Sequence, residues 1–579
     1  MLERLSMAVL LLFAGVFIAL TVSSYTQKSA TADEPDNLTA GYVALKLGDY
    51  RLDPMHPPLL RMWAALPLLA VHGVKLDTNS IYWLPVDSSF FSHEFLYQKN
   101  DADQLLYVGR FMIVLLGVLL GVMLFCWAHE LYGFWPAALV LALYTTEPNI
   151  LAHASVVTTD LGVTCFMLGT LYFLWRTVRH LTGGNLAGLA VFFTLAQVSK
   201  YSALALLPMV FLLLLVRVVR RNPWPCCIGP FKRELRSSTS RMLAALTIGL
   251  LLFATAFAAI WAIYGFRYAP APESSGLARL VSQPAIIARV PRLAQVMDWA
   301  DAHHLLPNAC AQGFLAGQGL HQRSQAFFMG HVSDVGWWYY FPVVFLIKTP
   351  ISLLILFFGG VLLALVRHEA LIDNDAFILV PLAVYLPVAM MSHLNIGLRH
   401  IVPIYPFMLL IAGKAVAYLW MSRRKMLHIV LGALCLFQVE EVAFVYPHYL
   451  AFFNQFIGGP QNGYTYLTDS NLDWGQDLKP LKKWMNKNGI QSINLSYSGS
   501  ADPKYYKINC RYLPGSPFFV EKLAERPQLP GYVAVSVHRL HGIGLGQVGP
   551  DFYKKLLESE PAAVIGYSIR VYWVERPWW

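Results

Sequence analysis

The apolar run LSMAVLLLFAGVFIALTV, Leu5 to Val22, is closely followed by Asp33-Glu34-Pro35, then Gly48-Asp49-Tyr50-Arg51 and His56-Pro57-Pro58-Leu59. The run is long enough to cross a bilayer as a helix. Read as a secretory signal, it would be cleaved at the small residues Ala30-Thr31-Ala32. It is long for that role, so an uncleaved first helix with a cytoplasmic N-terminus is expected. Two adjacent carboxylates then emerge at the far membrane surface, where charge is costly unless it is solvated or used. A carboxylate there can take a proton from a hydroxyl, and Arg51, His56 and Arg61 can hold an anion. The plainer alternative is a solvated loop with a Pro-Pro turn.

The rest of the chain agrees with a membrane protein. Of its 579 residues, 56% are hydrophobic and 13% charged, where a soluble chain carries about 25% charged residues. The net charge of +10 lies mostly in short loops between apolar runs. That suits topology and anionic lipid head groups rather than nucleic acid. Seven cysteines at irregular spacing do not form a disulfide framework. Cys310 and Cys510 alone fall in segments placed outside, so a bridge between them is one option. No zinc-type Cys/His cluster and no phosphate-cradling glycine loop is present.

Ten further apolar segments follow the first: Leu105–Leu131, Pro136–Thr146, Leu161–Trp175, Leu186–Val198, Ala203–Val216, Met242–Tyr264, Pro342–Leu365, Ala376–Met391, Ile401–Leu419 and Ile429–Phe444. About eleven helices are therefore expected. The loop from Arg217 to Arg241 is the most basic short connection and is placed in the cytoplasm. Two long outer loops run over about 26–104 and 266–340. Within them, Asp36–Leu47 is expected as a helix lying on the membrane with Leu38, Tyr42 and Leu45 on one face, and Ile286–Trp299 as a second surface helix. Trp337 to Tyr340 suits an interfacial aromatic belt. Residues 447–579 are no longer membrane-like. Trp474–Asn488 reads as an amphipathic helix capped by Asp473 and stopped by Gly489. Ile493–Tyr497, Tyr532–Val537 and Ala563–Val574 read as strands. The expected architecture is an α-helical polytopic membrane protein with a small C-terminal α/β domain on the outer face.

The motifs of the first loop resemble the first outer loop of glycosyltransferase family 39, whose relatives include protein O-mannosyltransferases and lipid A aminoarabinose transferases. Thr158-Thr159-Asp160, Gly336 to Pro342 with Lys348-Thr349-Pro350, Gly397-Leu398-Arg399-His400, and Asp469 to Asp477 are similar to the family's later motifs and stand in its order. The resemblance implies a GT-C-like catalytic domain over 1–446 and an extracytoplasmic domain over 447–579. It implies Asp33 as the general base, with Glu34 as its partner or the alternative base. Asp160 is expected at the outer mouth of the bundle, as a site residue or a helix N-cap. His56, Arg61, Lys200, Lys348, Arg399 and His400 are the substrate-binding candidates. Arg399 suits a phosphate best because its donors form a fork. Lys348, inside an apolar run, either snorkels to the interface or faces a polar cavity. The Asp469–Asp477 cluster reads as a metal or sugar site, or as caps and loop bonds that dock the outer domain.

The function expected is sugar transfer, with inversion, from a polyprenyl-phosphate donor to a hydroxyl of a protein or glycolipid acceptor at the outer face of a bacterial plasma membrane. No cofactor is required and a divalent metal is compatible. The competing class, a transporter or flippase of lipid-linked sugars, shares the apolar bulk and the cations. It does not need the acidic pair or the outer domain.

Overall fold

A computed structural model describes residues 2–578 except 84–85, 221, 273–287, 367–373 and 516–524. All eleven apolar segments are helical. Among the described residues, seven helices are long and apolar enough to cross a membrane, or eight if one bent pair counts as a single span. The chain is a multi-pass membrane protein. The helices Ala102–Tyr132, Asp160–Arg179 and Leu398–Trp420 form its buried centre, while Ser238–Ile263 and Lys425–Val445 lie largely on the outside.

Close contacts explain why the first helix, Leu2–Tyr25, stays on the bundle. A Cβ at Gly121 would meet Phe13 at 2.3 Å and one at Gly117 would meet Phe17 at 2.7 Å. These two glycines, four residues apart on Ala102–Tyr132, let aromatic rings approach the helix backbone, the usual way helices associate without a hydrophobic drive between them. Phe17 stacks in turn on Tyr144 at 5.6 Å.

The segment expected as one helix over Pro342–Leu365 is two, Tyr340–Lys348 and Ile351–Val366, bent by 117°. Pro350 has no N–H and disfavours helical backbone at Thr349. The carbonyls freed at the break are bonded by side chains. Asn454 Nδ2 donates to Leu346 O at 2.6 Å and Thr349 O at 2.8 Å, and Asn149 Nδ2 donates to Lys348 O at 2.7 Å.

In the first long loop the helix Glu34–Leu47 does not lie on a membrane. Leu38 and Tyr42 are buried, and a Cβ at Gly41 would sit 2.1 Å from Arg61 O. The helix is thus pressed against its neighbour Leu59–Ala65. In the second loop the helix Pro291–Ala302 is present, while Ile286 lies outside the described residues.

The C-terminal part holds a mixed sheet in the order Cys510–Tyr512, Ile493–Ser496, Gly531–Ser536, Ile569–Val574, Ala563–Ile565. The expected single strand Ala563–Val574 is a hairpin. It turns at Gly566 and Tyr567, both with positive φ. The amphipathic helix starts at Leu478, not Trp474, and runs to Lys487. Asp473 does not cap it but accepts from His538 N–H at 2.8 Å, because residues 473–477 are bent into a loop through Gly475 (φ +87°). Gly489 follows the helix in left-handed backbone, as a C-terminal stop requires. Cys310 and Cys510 are both free thiols. The apolar core is continuous from Phe13 to Val571 and so crosses residue 447.

Candidate active site

Asp33 and Glu34 open the helix Glu34–Leu47, and their carboxylates face different surroundings. Glu34 is fully buried and paired with Arg110. Arg110 Nε donates to Oε1 at 2.7 Å and Nη2 to Oε2 at 2.6 Å. The amides of Thr31 and Val157 donate to the same two oxygens at 2.8 and 2.9 Å. Arg110 also donates to the carbonyls of Tyr25 and Ser29. Both groups are spent on holding the first loop to two helices.

Among the described residues Asp33 has one ion-pair partner. Arg399 Nη1 donates to its Oδ2 at 2.5 Å, and the Asp33 side chain remains 40% exposed. The guanidinium lies over the Trp474 ring, 4.4 Å from its centroid. That distance suits a cation–π contact. Arg399 Nε is buried without a protein partner.

Asp160 and Lys200 meet beside this pair, with Nζ 2.5 Å from Oδ1. Asp160 opens the helix Asp160–Arg179, and Lys200 precedes the short helix Tyr201–Ala205. Both sit at the end of the bundle that carries Asp33. The charges of Asp33, Asp160 and Asp469 all act on Arg399. Those of Lys200, Arg61, Asp160 and Arg399 act on His56, whose imidazole is held neutral mainly by desolvation. His400 lies in the field of Lys200, Arg399 and Asp160. His56 Nδ1 and His400 Nε2 are buried without protein partners. These atoms, with Arg399 Nε and His153 Nδ1, are among the buried polar atoms that find no hydrogen-bond partner among the described residues.

Two of the expected cations are engaged elsewhere. Arg61 is buried, pairs with Asp53 at 2.7 Å and donates to Asn37 Oδ1 at 2.9 Å. Lys348 neither snorkels nor faces an open cavity. It is buried at the helix break, where Nζ donates to the carbonyls of Leu450 and Asn471.

The Asp469–Asp477 stretch runs along the first loop. Ala32 N–H donates to Trp474 O at 2.8 Å and Ser29 N–H to Gln476 O at 3.0 Å. Asp477 is buried against Lys28 at 2.6 Å. Burial pushes the Asp469 carboxyl up to about 6, with the Arg399 charge opposing. Among the described residues no group of three or more His, Cys, Asp or Glu is placed to hold a metal ion.

Three participants escape a reading of the sequence motifs. Arg110 had a visible signal, a lone arginine inside an apolar run. Trp474 stands inside a motif, but nothing in the sequence pairs it with Arg399. His153 is buried near Trp474, its imidazole held neutral by burial, down to about 3. It had no motif at all.

The site is thus a half-open carboxylate and two acid–base pairs at one end of a helical membrane bundle. Residues 102–230 match the family model described as dolichyl-phosphate-mannose-protein mannosyltransferase, a segment that contains Asp160 and Lys200. The matched segment lies within the region whose motifs resemble glycosyltransferase family 39, and it covers less than a quarter of the chain.

No curated protein matches the chain. Among solved structures it is similar to the S. cerevisiae protein O-mannosyltransferase Pmt1-Pmt2 complex bound to the sugar donor. The identity there is 16% and the TM-score 0.33, over 45% of this chain and 33% of that one. It is also similar to ArnT from Cupriavidus metallidurans bound to undecaprenyl phosphate, at 13% identity and TM-score 0.29, over 97% of each chain. A third similar structure is the Archaeoglobus fulgidus oligosaccharyltransferase tethered with an acceptor peptide, at 8% identity and TM-score 0.46, over 93% of this chain and 70% of that one. The chain thus spans about a third of the yeast chain.

Proposed function

We propose that this enzyme transfers a sugar from a polyprenyl-phosphate donor to an acceptor hydroxyl, on a protein or a glycolipid, with inversion at the anomeric carbon. The observation that carries the reading is Asp33. Its carboxylate is half open to solvent, free of other ion pairs, and held beside an arginine with an unused donor. In the step proposed, the acceptor hydroxyl gives its proton to Asp33 as its oxygen bonds to the anomeric carbon. The bond from that carbon to the phosphate oxygen breaks, and the polyprenyl phosphate leaves. Arg399, with Lys200 beside it, stabilises the charge that develops on the phosphate. His56 and His400 offer ring nitrogens to the donor head group. Glu34 holds the loop and takes no proton. No step calls on a metal, and a divalent ion is compatible with it.

In the same reading residues 1–446 form the catalytic membrane domain and 447–579 an outer domain. The N-terminus is cytoplasmic, the active end lies on the extracytoplasmic face of the plasma membrane, and the basic hairpin Trp224–Leu235 lies on the opposite face.

The test is incubation of the purified protein with a panel of polyprenyl-phosphate sugars and candidate acceptors, followed by mass spectrometry. A new glycosidic bond formed by the wild type and lost in Asp33→Asn is the expected result. Movement of donor across vesicles with no new bond would establish the transporter reading instead.

A further inference from the structure

Arg399 follows a turn, Ile396 to Leu398, that two adjacent side chains of the C-terminal region grip. Asn471 Oδ1 accepts from Leu398 N–H at 2.9 Å, and Ser470 Oγ donates to Ile396 O at 2.8 Å. The grip is tight. A Cβ at Gly397 would lie 2.1 Å from Ser470 Oγ, so only glycine fits between them. Asn471 is itself fixed on all sides. Its Nδ2 donates to Tyr340 Oη at 2.9 Å and Thr468 O at 3.0 Å, and its carbonyl accepts from Lys348 Nζ. It is wholly buried, with every polar group in use. Three residues further on, Trp474 lies against the guanidinium.

We infer that Asn471 is a positioning residue for Arg399, through which the C-terminal region sets where the guanidinium meets an anionic lipid phosphate. The physical reason is local. Leu398 begins the short helix Leu398–Ile404, and the first N–H groups of a helix have no partner within it. Asn471 supplies that partner and so fixes the direction in which the next residue leaves the backbone. Arginine has many rotamers to lose. A fixed root and a ring beneath the guanidinium lower the entropy lost when a phosphate is bound. Lys348, a substrate-binding candidate from the sequence, donates to this clasp. The inference rests on reading Arg399 as the phosphate-binding group.

The test is binding of undecaprenyl phosphate to the full-length protein in detergent, with undecaprenol as the control without a phosphate. Loss of one buried hydrogen-bonding group predicts that Asn471→Ala weakens undecaprenyl phosphate roughly ten-fold and leaves undecaprenol unchanged. Arg399→Ala weakens it at least as much. The double variant is no weaker than Arg399→Ala alone, because Asn471 acts only through the guanidinium. Equal loss for both lipids, or losses that add in the double variant, would overturn the inference. Should Asn471→Ala fail to fold, Ser470→Ala removes the bond to Ile396 O together with a side-chain bond to Asp469, and leaves Asn471 in place. It is expected to cost roughly three-fold, again absent when Arg399 is alanine; an additive loss there overturns the inference equally. A wild type with no preference for undecaprenyl phosphate over undecaprenol, or an Arg399→Ala protein that keeps the preference, is a different failure. That result removes the phosphate role of Arg399 and takes the inference with it.

Discussion

Asp33 and Glu34 are neighbours in sequence, and each carboxylate meets an arginine at nearly the same distance, 2.5 and 2.6 Å. Around Glu34 there is no water-facing surface, and two backbone amides complete the shell of its oxygens. Around Asp33 much of the side chain is open and a single guanidinium nitrogen binds it. One helix start thus carries a closed pair and an open pair one residue apart. The difference is made by what else reaches each carboxylate. A saturated carboxylate cannot receive a proton without losing a bond, whereas an open one can.

The largest effect is expected where the shell is complete. Removing one partner of a buried ion pair costs about 3–5 kcal/mol, because the other charge stays behind unpaired. Glu34→Gln should therefore give protein that is poorly inserted or unfolds at much lower temperature, whatever its activity. Thermal unfolding in detergent checks this. A well-folded Glu34→Gln protein with impaired transfer would make Glu34 the base and reverse the comparison.

Asp33→Asn is expected to act on rate. A positioned general base contributes roughly 10²- to 10⁴-fold, so transfer should fall at least about a hundred-fold while the lipid-linked sugar still binds. Single-turnover measurement with the active donor separates the two.

Arg399→Ala follows in size. Loss of a charge-assisted contact costs about 1.5–3 kcal/mol, a fall of roughly ten- to a hundred-fold in donor binding and turnover. Arg423→Ala, an exposed arginine three residues beyond the other end of the helix Leu398–Trp420, should change neither. Equal effects from the two would remove Arg399 from the site.

The motifs of the sequence placed Asp33, Asp160, Lys200 and Arg399 in one neighbourhood because each stands at the end of an apolar run, and run ends gather at the membrane surface. They could not separate Asp33 from Glu34. That distinction is made by Arg110 and Val157, 76 and 123 residues away in sequence, and distant partners leave no local pattern. The bend at Thr349-Pro350 was readable as chemistry, since proline breaks helices, but the asparagines that stabilise it come from two other segments. Residues 474–477 read as helix in the sequence for a similar reason. The amphipathic pattern extends backward from Leu478, while contacts with Ala32 and His538 pull the backbone out of helical geometry.

Acid should weaken the fold by way of buried histidines near both regions. Burial holds His153 and His538 down to about 3 and His448 to about 4, against about 6.5 in an unfolded chain. Between those values the unfolded state binds protons that the folded state refuses, so stability rises with pH across the window and is lost as pH falls through it. Each such histidine contributes about 1.4 kcal/mol per pH unit. Buried carboxyls such as Asp469 take up protons on folding and act in the opposite direction, so the test is a comparison: His448→Gln should lose less unfolding temperature between pH 6.5 and 4 than the wild type does. Equal losses in the two would show that the His448 ring is not held neutral.

The smallest effect expected is on the stability of the open pair, and it separates the two carboxylates most sharply. Asp33 and Arg399 make a short contact, and a short contact invites the inference that it holds the fold together. The exposure of Asp33 argues otherwise. Charges that water still reaches gain little from pairing, typically 0–1 kcal/mol, and Arg399 keeps the Trp474 ring and the charges of Asp160 and Asp469 when Asp33 is neutralised. Asp33 also makes no side-chain cap bond to its helix, so no cap is lost with its charge. Asp33→Asn should therefore unfold within about 1 kcal/mol of the wild type, at the same time as it transfers sugar far more slowly. An Asp33→Asn protein destabilised as severely as Glu34→Gln would mean that both pairs are structural, and the general base would then have to be sought elsewhere in the site.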